Sequence, residues 1–261
     1  MKLTRLFASL FVFIPLFASS QDVMSKISEA GGDKVLTDMQ KAALNELADK
    51  GYVIQVYEIT DPELEFEDYK DKHSKVELKK DKIKLESKNK KHFVVAVTDV
   101  RKANPQNCDI MYACPIKFSG FDDNHKSGIV FNYRNTDNFH ALVLDKKNYY
   151  YLIRERGDSY IEQRGAYKSK KRDNVVTPAI SVKNRKLSLI IDGLEMAEVK
   201  MSKPLRSRKY GFYTDGESSI EVPGPMIFAT FEREDEDGYD DEDDDDGGRR
   251  RKRSRDYDDE D

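Results

Sequence analysis

Residues 128–155 constrain the fold more than any other stretch: GIVFNYRNTDNFHALVLDKKNYYYLIRE. The run reads as three consecutive antiparallel strands. Ile129, Phe131 and Tyr133 alternate with Val130, Asn132 and Arg134. Phe139, Ala141 and Val143 alternate with His140, Leu142 and Leu144, and Tyr149, Tyr151 and Ile153 with Tyr150, Leu152 and Arg154. Successive strand residues point to opposite faces, so each run offers a sheet one apolar and one mixed face. The breaks Asn135-Thr136-Asp137 and Asp145-Lys146-Lys147-Asn148 have turn chemistry, because Asn and Asp bond their own backbone.

The same period of two recurs at 52–58, 82–87, 92–97, 109–118, 159–163, 175–182, 186–191, 194–199, 210–213, 219–222 and 227–231. Asp192-Gly193 reads as a tight hairpin turn. Pro115 lacks a donor and marks 109–118 as an edge or bulged strand. So many short strands, with turn residues between them, predict an all-β sandwich or jelly roll over 52–231. Ahead of it, a short helix is expected over 22–29 and a second over 37–50. Thr37 and Gln40 fit a capping box, Leu36, Met39, Ala43 and Leu47 share one helical face, and Gly51 is placed to end the helix.

Both chain ends read as something other than core. Lys2 and Arg5, an apolar run from Leu6 to Phe17, and Ala18-Ser19-Ser20 form a secretory signal pattern over 1–20, which places the mature start at Gln21. That run is shorter than the roughly 20 apolar residues a spanning helix needs, and no later segment is apolar enough. A secreted, periplasmic or otherwise extracellular protein with no transmembrane segment is therefore expected. At the other end, residues 232–261 hold 17 acidic and 7 basic side chains, a net of −10; the whole-chain charge of −4 leaves +6 for residues 1–231. A segment so charged cannot bury enough surface to order itself, so a disordered tail is expected. Its acidic blocks suit cations or a basic surface through net field, or pair with Arg249–Arg255 of the tail itself. The basic run resembles a nuclear-localisation signal, but export removes that route, and no nucleic-acid partner is expected.

Cys108 and Cys114 would lie on one face of a strand about 20 Å apart, at roughly 3.3 Å per residue. Disulfide geometry needs Cα atoms within about 7 Å, so no bridge is expected unless a turn intervenes. Cys114 reads as a small buried hydrophobe.

The order of several segments carries a resemblance. Glu65-Phe66-Glu67-Asp68 precedes Asp81–Ser87 (DKIKLES); Asp109-Ile-Met-Tyr112 and Lys117-Phe-Ser-Gly120 follow. Then come Ser127–Tyr133 (SGIVFNY) with Asp137-Asn-Phe139, Leu189–Gly193 (LIIDG) and Lys209–Tyr213 (KYGFY). Together they resemble the concanavalin A-like lectin/glucanase sandwich, in particular the laminin G-like and 3-keto-disaccharide hydrolase-like domains of exported proteins. The resemblance covers about residues 52–231 and rests on strand and turn patterns rather than catalytic signatures.

It implies a polysaccharide or glycoconjugate partner. The polar members of the meander, Asn132, Arg134, His140, Tyr149 and Tyr151, are the candidate ligand face, since Tyr and Arg combine apolar area with a donor. Glu63, Glu65 and Glu67 alternate as in the E-x-D-x-E motif of family 16 glycoside hydrolases, with Glu65 in place of the Asp, and are weak catalytic candidates. Asp122, Asp123 and Asn124 are weak calcium candidates, calcium being the one cofactor suggested, although calcium takes six to eight oxygens. The four histidines lack metal-site spacing. The favoured expectation is a non-catalytic carbohydrate-binding sandwich. The alternatives are a glycoside hydrolase of the same fold, and an extracellular matrix protein whose acidic tail binds calcium or a surface.

Overall fold

The computed structural model describes residues 20–29, 36, 38–119, 125–167 and 174–233. Two helices come first, α1 (Ser20–Glu29) and α2 (Asp38–Asp49). The strands then run β1 (Val53–Tyr57), β2 (Tyr69–Lys70), β3 (Ser74–Lys79), β4 (Lys82–Ser87), β5 (Phe93–Asp99) and β6 (Cys108–Ala113). They continue with β7 (Ile116–Ser119), β8 (Ser127–Asn135), β9 (Asn138–Leu144), β10 (Asn148–Glu155), β11 (Asp158–Ala166) and β12 (Val175–Val176). The last are β13 (Pro178–Lys183), β14 (Lys186–Ile191), β15 (Leu194–Lys200), β16 (Lys209–Asp215), β17 (Ser219–Val222) and β18 (Met226–Glu232).

All described pairings are antiparallel and form three six-stranded sheets. Sheet A has the order β1-β18-β6-β13-β14-β15, sheet B β12-β7-β17-β4-β3-β2, and sheet C β11-β10-β9-β8-β16-β5. The all-β sandwich expected from the alternation is the architecture observed.

Sheets A and B are joined at one corner. The chain passes between them at β7/β6, β12/β13 and β17/β18, and each crossing carries a proline: Pro115, Pro178 or Pro225. The three strands lie in the same order on both sides, so one ribbon folds along a line of prolines. A proline cannot donate to a ladder, which makes it a natural place for pairing to stop and the strand to bend. This corrects the expectation of one strand over 109–118: β6 and β7 are separate strands of different sheets, and Cys114 and Pro115 form the bend between them. Both cysteines are free and buried.

One core fills the space among the sheets. Ile110, Tyr112 and Phe228 come from sheet A, Ile83, Leu85 and Ile220 from sheet B, and Phe131, Leu142 and Phe212 from sheet C. At its centre Tyr112 stacks on Phe228 at 4.9 Å, and Tyr210 meets both rings edge-on at 5.2 and 5.0 Å. The buried phenols are satisfied: Tyr112 donates to the Gly211 carbonyl at 3.1 Å and Tyr210 to the Ala103 carbonyl at 2.9 Å.

The helices cover the far side of sheet A, where Ile27, Leu36 and Leu44 pack on Ile54, Ile227 and Ala229. The apolar stripe differs by one position from expectation: Leu44 is buried while Ala43 is exposed. Gly51 ends α2 as expected, at φ 90°, with Tyr52 N–H bonded to the Leu47 carbonyl and Gly51 N–H to that of Ala48. The signal segment up to residue 19, Thr37, the Asp122–Asn124 loop and the tail from 234 lie outside the described residues. Order extends past the expected end at 231: Glu232 closes β18, and Arg233 bonds Asp109 and the carbonyls of Pro105 and Cys108.

Two glycines of sheet C lie against the backbone of a neighbouring strand. A Cβ at Gly128 would lie 2.0 Å from the Leu142 carbonyl oxygen, and one at Gly211 1.9 Å from that of Ala96. Both glycines belong to the outer-facing set, paired with Val143 and Val130, so the adjacent strands rise on that side and leave no room for a side chain. Replacing Gly211 with Ala is expected to cost about 3 kcal/mol, because the clash is with backbone. Gly157→Ala meets nothing closer than 3.6 Å and strains only a φ of 89°, so about 1 kcal/mol is expected there. Urea unfolding of the two variants measures the difference.

Candidate functional site

The meander forms the centre of sheet C, and pairing fixes which side chains point inward. Phe131 opposes His140, Ile129 opposes Leu142, and Tyr149 and Tyr151 oppose Leu144 and Leu142. Tyr149 and Tyr151 belong to the buried core at 4% and 1% exposure. Tyr149 donates to the Met196 carbonyl of sheet A at 3.3 Å, and His140 Nδ1 lies 2.8 Å from the Tyr151 hydroxyl. Asn132, at φ 50°, is also spent on structure: its Oδ1 accepts the backbone N–H groups of Arg206 and Ser207 at 2.9 and 3.0 Å. Of the five expected ligand residues, only Arg134 is exposed. The expected ligand face is thus largely the inner face, because Tyr and His were read as polar while the sandwich buries them as large hydrophobes with satisfied tips.

The outer face of sheet C carries the other half of the alternation. Val130, Phe139, Ala141, Val143, Tyr150, Leu152 and Tyr213 form a second cluster. Its own side chains seal it: Tyr133 stacks on Phe139, the Arg154 guanidinium sits 5.0 Å over the Phe93 ring, and Lys126 and Arg164 flank Tyr150 at 5.2 and 5.3 Å. Cation–π contacts of this kind let charged residues close an apolar face.

A cleft of about 530 Å³ opens beside this sheet, lined by Tyr57, Glu63–Glu65, Asp99–Lys102 and Arg208. Three elements build it. The first is the end of β1, where Tyr57 is held at 6% exposure and edge-on to Phe228 at 6.0 Å. The second is the segment 61–67, which is not the strand that the alternating glutamates suggested. It is a loop that begins with a turn at Asp61, whose Oδ1 accepts the Glu63 N–H and whose carbonyl accepts that of Leu64. Alternation survives in it: Leu64 and Phe66 are buried at 5% and 8%, Phe66 stacking on Phe212 at 5.7 Å, while Glu63 and Glu65 turn to the cleft. Glu67 is exposed but does not line it.

The third element is the end of β5. Asp99 pairs with Arg208 at 2.7 Å, the Val100 N–H bonds the Arg208 carbonyl at 3.0 Å, and Val100 and Ala103 are buried anchors. Arg101 and Lys102 are therefore displayed from a fixed loop. The lining holds three carboxylates and three cations around one tyrosine. Burial raises the Tyr57 phenol, with the Glu63 and Asp61 carboxylates adding to it, and its hydroxyl donates to Gln55 Oε1 at 3.0 Å. Among the described residues no group of three or more His, Cys, Asp or Glu is placed to hold a metal. Of these residues, sequence reasoning found Glu63 and Glu65 and missed Tyr57, Asp99, Arg101, Lys102 and Arg208.

No family model matches this chain, and no curated protein does. Several solved structures are similar. A carbohydrate-binding module, CBM66, from Bacillus subtilis is 8% identical with a TM-score of 0.46, over 57% of this chain and 89% of that one. The exoplasmic/lumenal domain of VIP36, in a Ca²⁺/Man2-bound form, is 12% identical with a TM-score of 0.47, over 70% and 86%. The catalytic domain of an endo-1,3-beta-glucanase (laminarinase) from Thermotoga petrophila is 11% identical with a TM-score of 0.44, over 70% and 99%.

The inward placement of His140 has a consequence for stability. Burial, aided by the nearby Arg134 charge, lowers its imidazole from the ordinary 6.5 to about 4. The unfolded chain takes a proton on this ring near pH 6.5, whereas the folded chain keeps it neutral. Its contribution is complete above pH 6.5 and falls away as the pH drops toward 4, by on the order of 3 kcal/mol. His140→Gln keeps a polar partner for Tyr151 but cannot titrate. Urea midpoints at pH 7 and pH 4.5 are expected to drop further for the wild type than for this variant.

Proposed function

We propose that the protein is an exported, non-catalytic carbohydrate- or glycoconjugate-binding sandwich whose ligand site is the Tyr57 cleft. The observation that carries this reading is the composition of the cleft: three carboxylates and three cationic side chains line it together, with Arg208 held by Asp99. A sugar presents neighbouring hydroxyls that both donate and accept. Carboxylate oxygens accept and guanidinium groups donate in a rigid fork. Equal numbers of each charge suit a neutral polyol better than a strongly charged ligand.

The test is a glycan array probed with the mature chain, 21–261, with and without calcium. Binding is expected in both conditions. Arg208→Ala and Glu65→Ala are expected to weaken it about tenfold each, near 1.4 kcal/mol, and Arg134→Ala, outside the cleft, to leave it unchanged. Background signal for the wild type, or binding indifferent to both cleft variants, overturns the reading. Mass spectrometry of the exported chain should give Gln21 as its first residue.

A hydrolase reading has one observation in its favour: Glu63 and Glu65 share the cleft with Asp99. Release of reducing sugar from a polysaccharide panel, lost in Glu63→Gln and Glu65→Gln, would establish it in place of simple binding.

A further inference from the structure

The outer face of sheet B holds a second, different surface. Pairing aligns Glu77, Lys84, Glu221 and Lys117 as one cross-strand row, and Lys70, Lys75 and Glu86 as the next. With Lys79 and Lys82, six lysines share this face with three glutamates. The ion pairs present, Lys75–Glu77 at 3.0 Å, Lys79–Glu77 at 3.6 Å, Lys82–Glu221 at 3.1 Å and Lys84–Glu86 at 3.8 Å, use every glutamate and leave a cationic excess. Residues 70–91, which contain β3 and β4, hold ten lysines and four acidic side chains, a net of +6. That equals the whole excess of residues 1–231. The opposite side of the same strands is core, with Val76, Ile83, Leu85 and Ile220 buried, so the lysines have only the outer side to occupy. The outer side of this ladder is a field of charged side chains, which favours a polyanion held by field rather than by shape.

The chain carries such a polyanion. Residues 234–246 contain eleven acidic side chains and no basic one. Their tether is fixed, because the Arg233 side chain bonds Asp109 at 3.0 Å and the Pro105 and Cys108 carbonyls at 3.0 and 2.9 Å. Thirteen residues span up to about 45 Å when extended, comparable to the width of a domain of this size. Tethering also raises the local concentration of the run to the millimolar range.

We propose that the acidic run 234–246 docks in cis on the lysine face of sheet B. The contact masks the basic face against other polyanions and is salt-dependent. The basic run Arg249–Arg255 competes for the same acidic residues, so the tail balances between pairing with itself and pairing with the sheet.

The experiment is lysine acetylation footprinting of the full mature chain at low and high salt. Lys75, Lys84 and Lys117 are expected to be protected at least fivefold at low salt, and the protection to vanish at 0.5 M salt and on removal of residues 234–261. Removal of 249–261 alone should deepen it. A labelled peptide of sequence 234–246 should bind the chain 21–233, which keeps every described strand, at least tenfold more tightly than the full chain. The triple change Lys75→Glu, Lys84→Glu, Lys117→Glu should abolish that binding. Equal reactivity in the full and shortened chains overturns the proposal. So does protection that rises with protein concentration, which would mean the tail of a second copy, or peptide binding that survives the triple change.

Discussion

The line of prolines at Pro115, Pro178 and Pro225 is the constraint on which the rest of the structure depends. A three-stranded ribbon that continued straight would be too long to bury its faces against one partner sheet. Interrupting all three strands at the same level lets one half, in sheet A, face sheet C, while the other half, in sheet B, turns to close the remaining side of the core. Proline suits this position because it removes the donor that would extend the ladder. The bend then brings Tyr112 and Phe228 of sheet A against Tyr210 of sheet C, and the Tyr112 hydroxyl reaches the Gly211 carbonyl. Gly211 is also where the Ala96 backbone leaves no room for a side chain. Corner and aromatic centre are therefore successive consequences of one geometry.

Much of this was written in local pattern. The three meander strands, the Gly51 helix stop and the Asp192-Gly193 turn each depend on neighbouring residues alone, with φ values of 90°, 51° and 83° supplied by residues suited to them. The sidedness of sheet C was not legible in the same way. Alternation states that two faces differ, and here both are apolar: Phe131, Leu142 and Tyr151 line one, Phe139, Val143 and Tyr150 the other. Polarity was then the only guide, and it misled, because the hydroxyls of Tyr149 and Tyr151 find partners inside. The deeper reason is that a buried tyrosine with a bonded hydroxyl is energetically a large hydrophobe.

The cleft was illegible for another reason. Its lining comes from four separated segments around residues 57, 64, 100 and 208, and none has a motif of its own. What could have been noticed is the contrast at Asp99-Val100-Arg101-Lys102, where an alternating strand ends in three charged residues around a single valine. Such a step marks a strand end whose apolar residue anchors while its charged neighbours are displayed. The glutamates at 63 and 65 show the converse: their spacing was informative, although it arose from the buried anchors Leu64 and Phe66 in a loop rather than from a strand.

The two candidate surfaces recognise by different physics, and this keeps them from competing. In the cleft, opposite charges are interleaved and the Asp99–Arg208 pair holds its side chains at 2.7 Å, so the net field is small and discrimination must come from hydrogen-bond geometry. On sheet B the lysines outnumber their partners two to one across a flat, solvated ladder, so attraction is long in range, tolerant of geometry and screened by salt. A neutral sugar gains little from the second surface, and an acidic run gains little from the first, where three carboxylates balance three cations. On the proposed reading, the difference in charge balance would let one domain carry a ligand cleft beside a strongly basic face that something anionic covers. The sequence places eleven acidic residues next to the anchored Arg233.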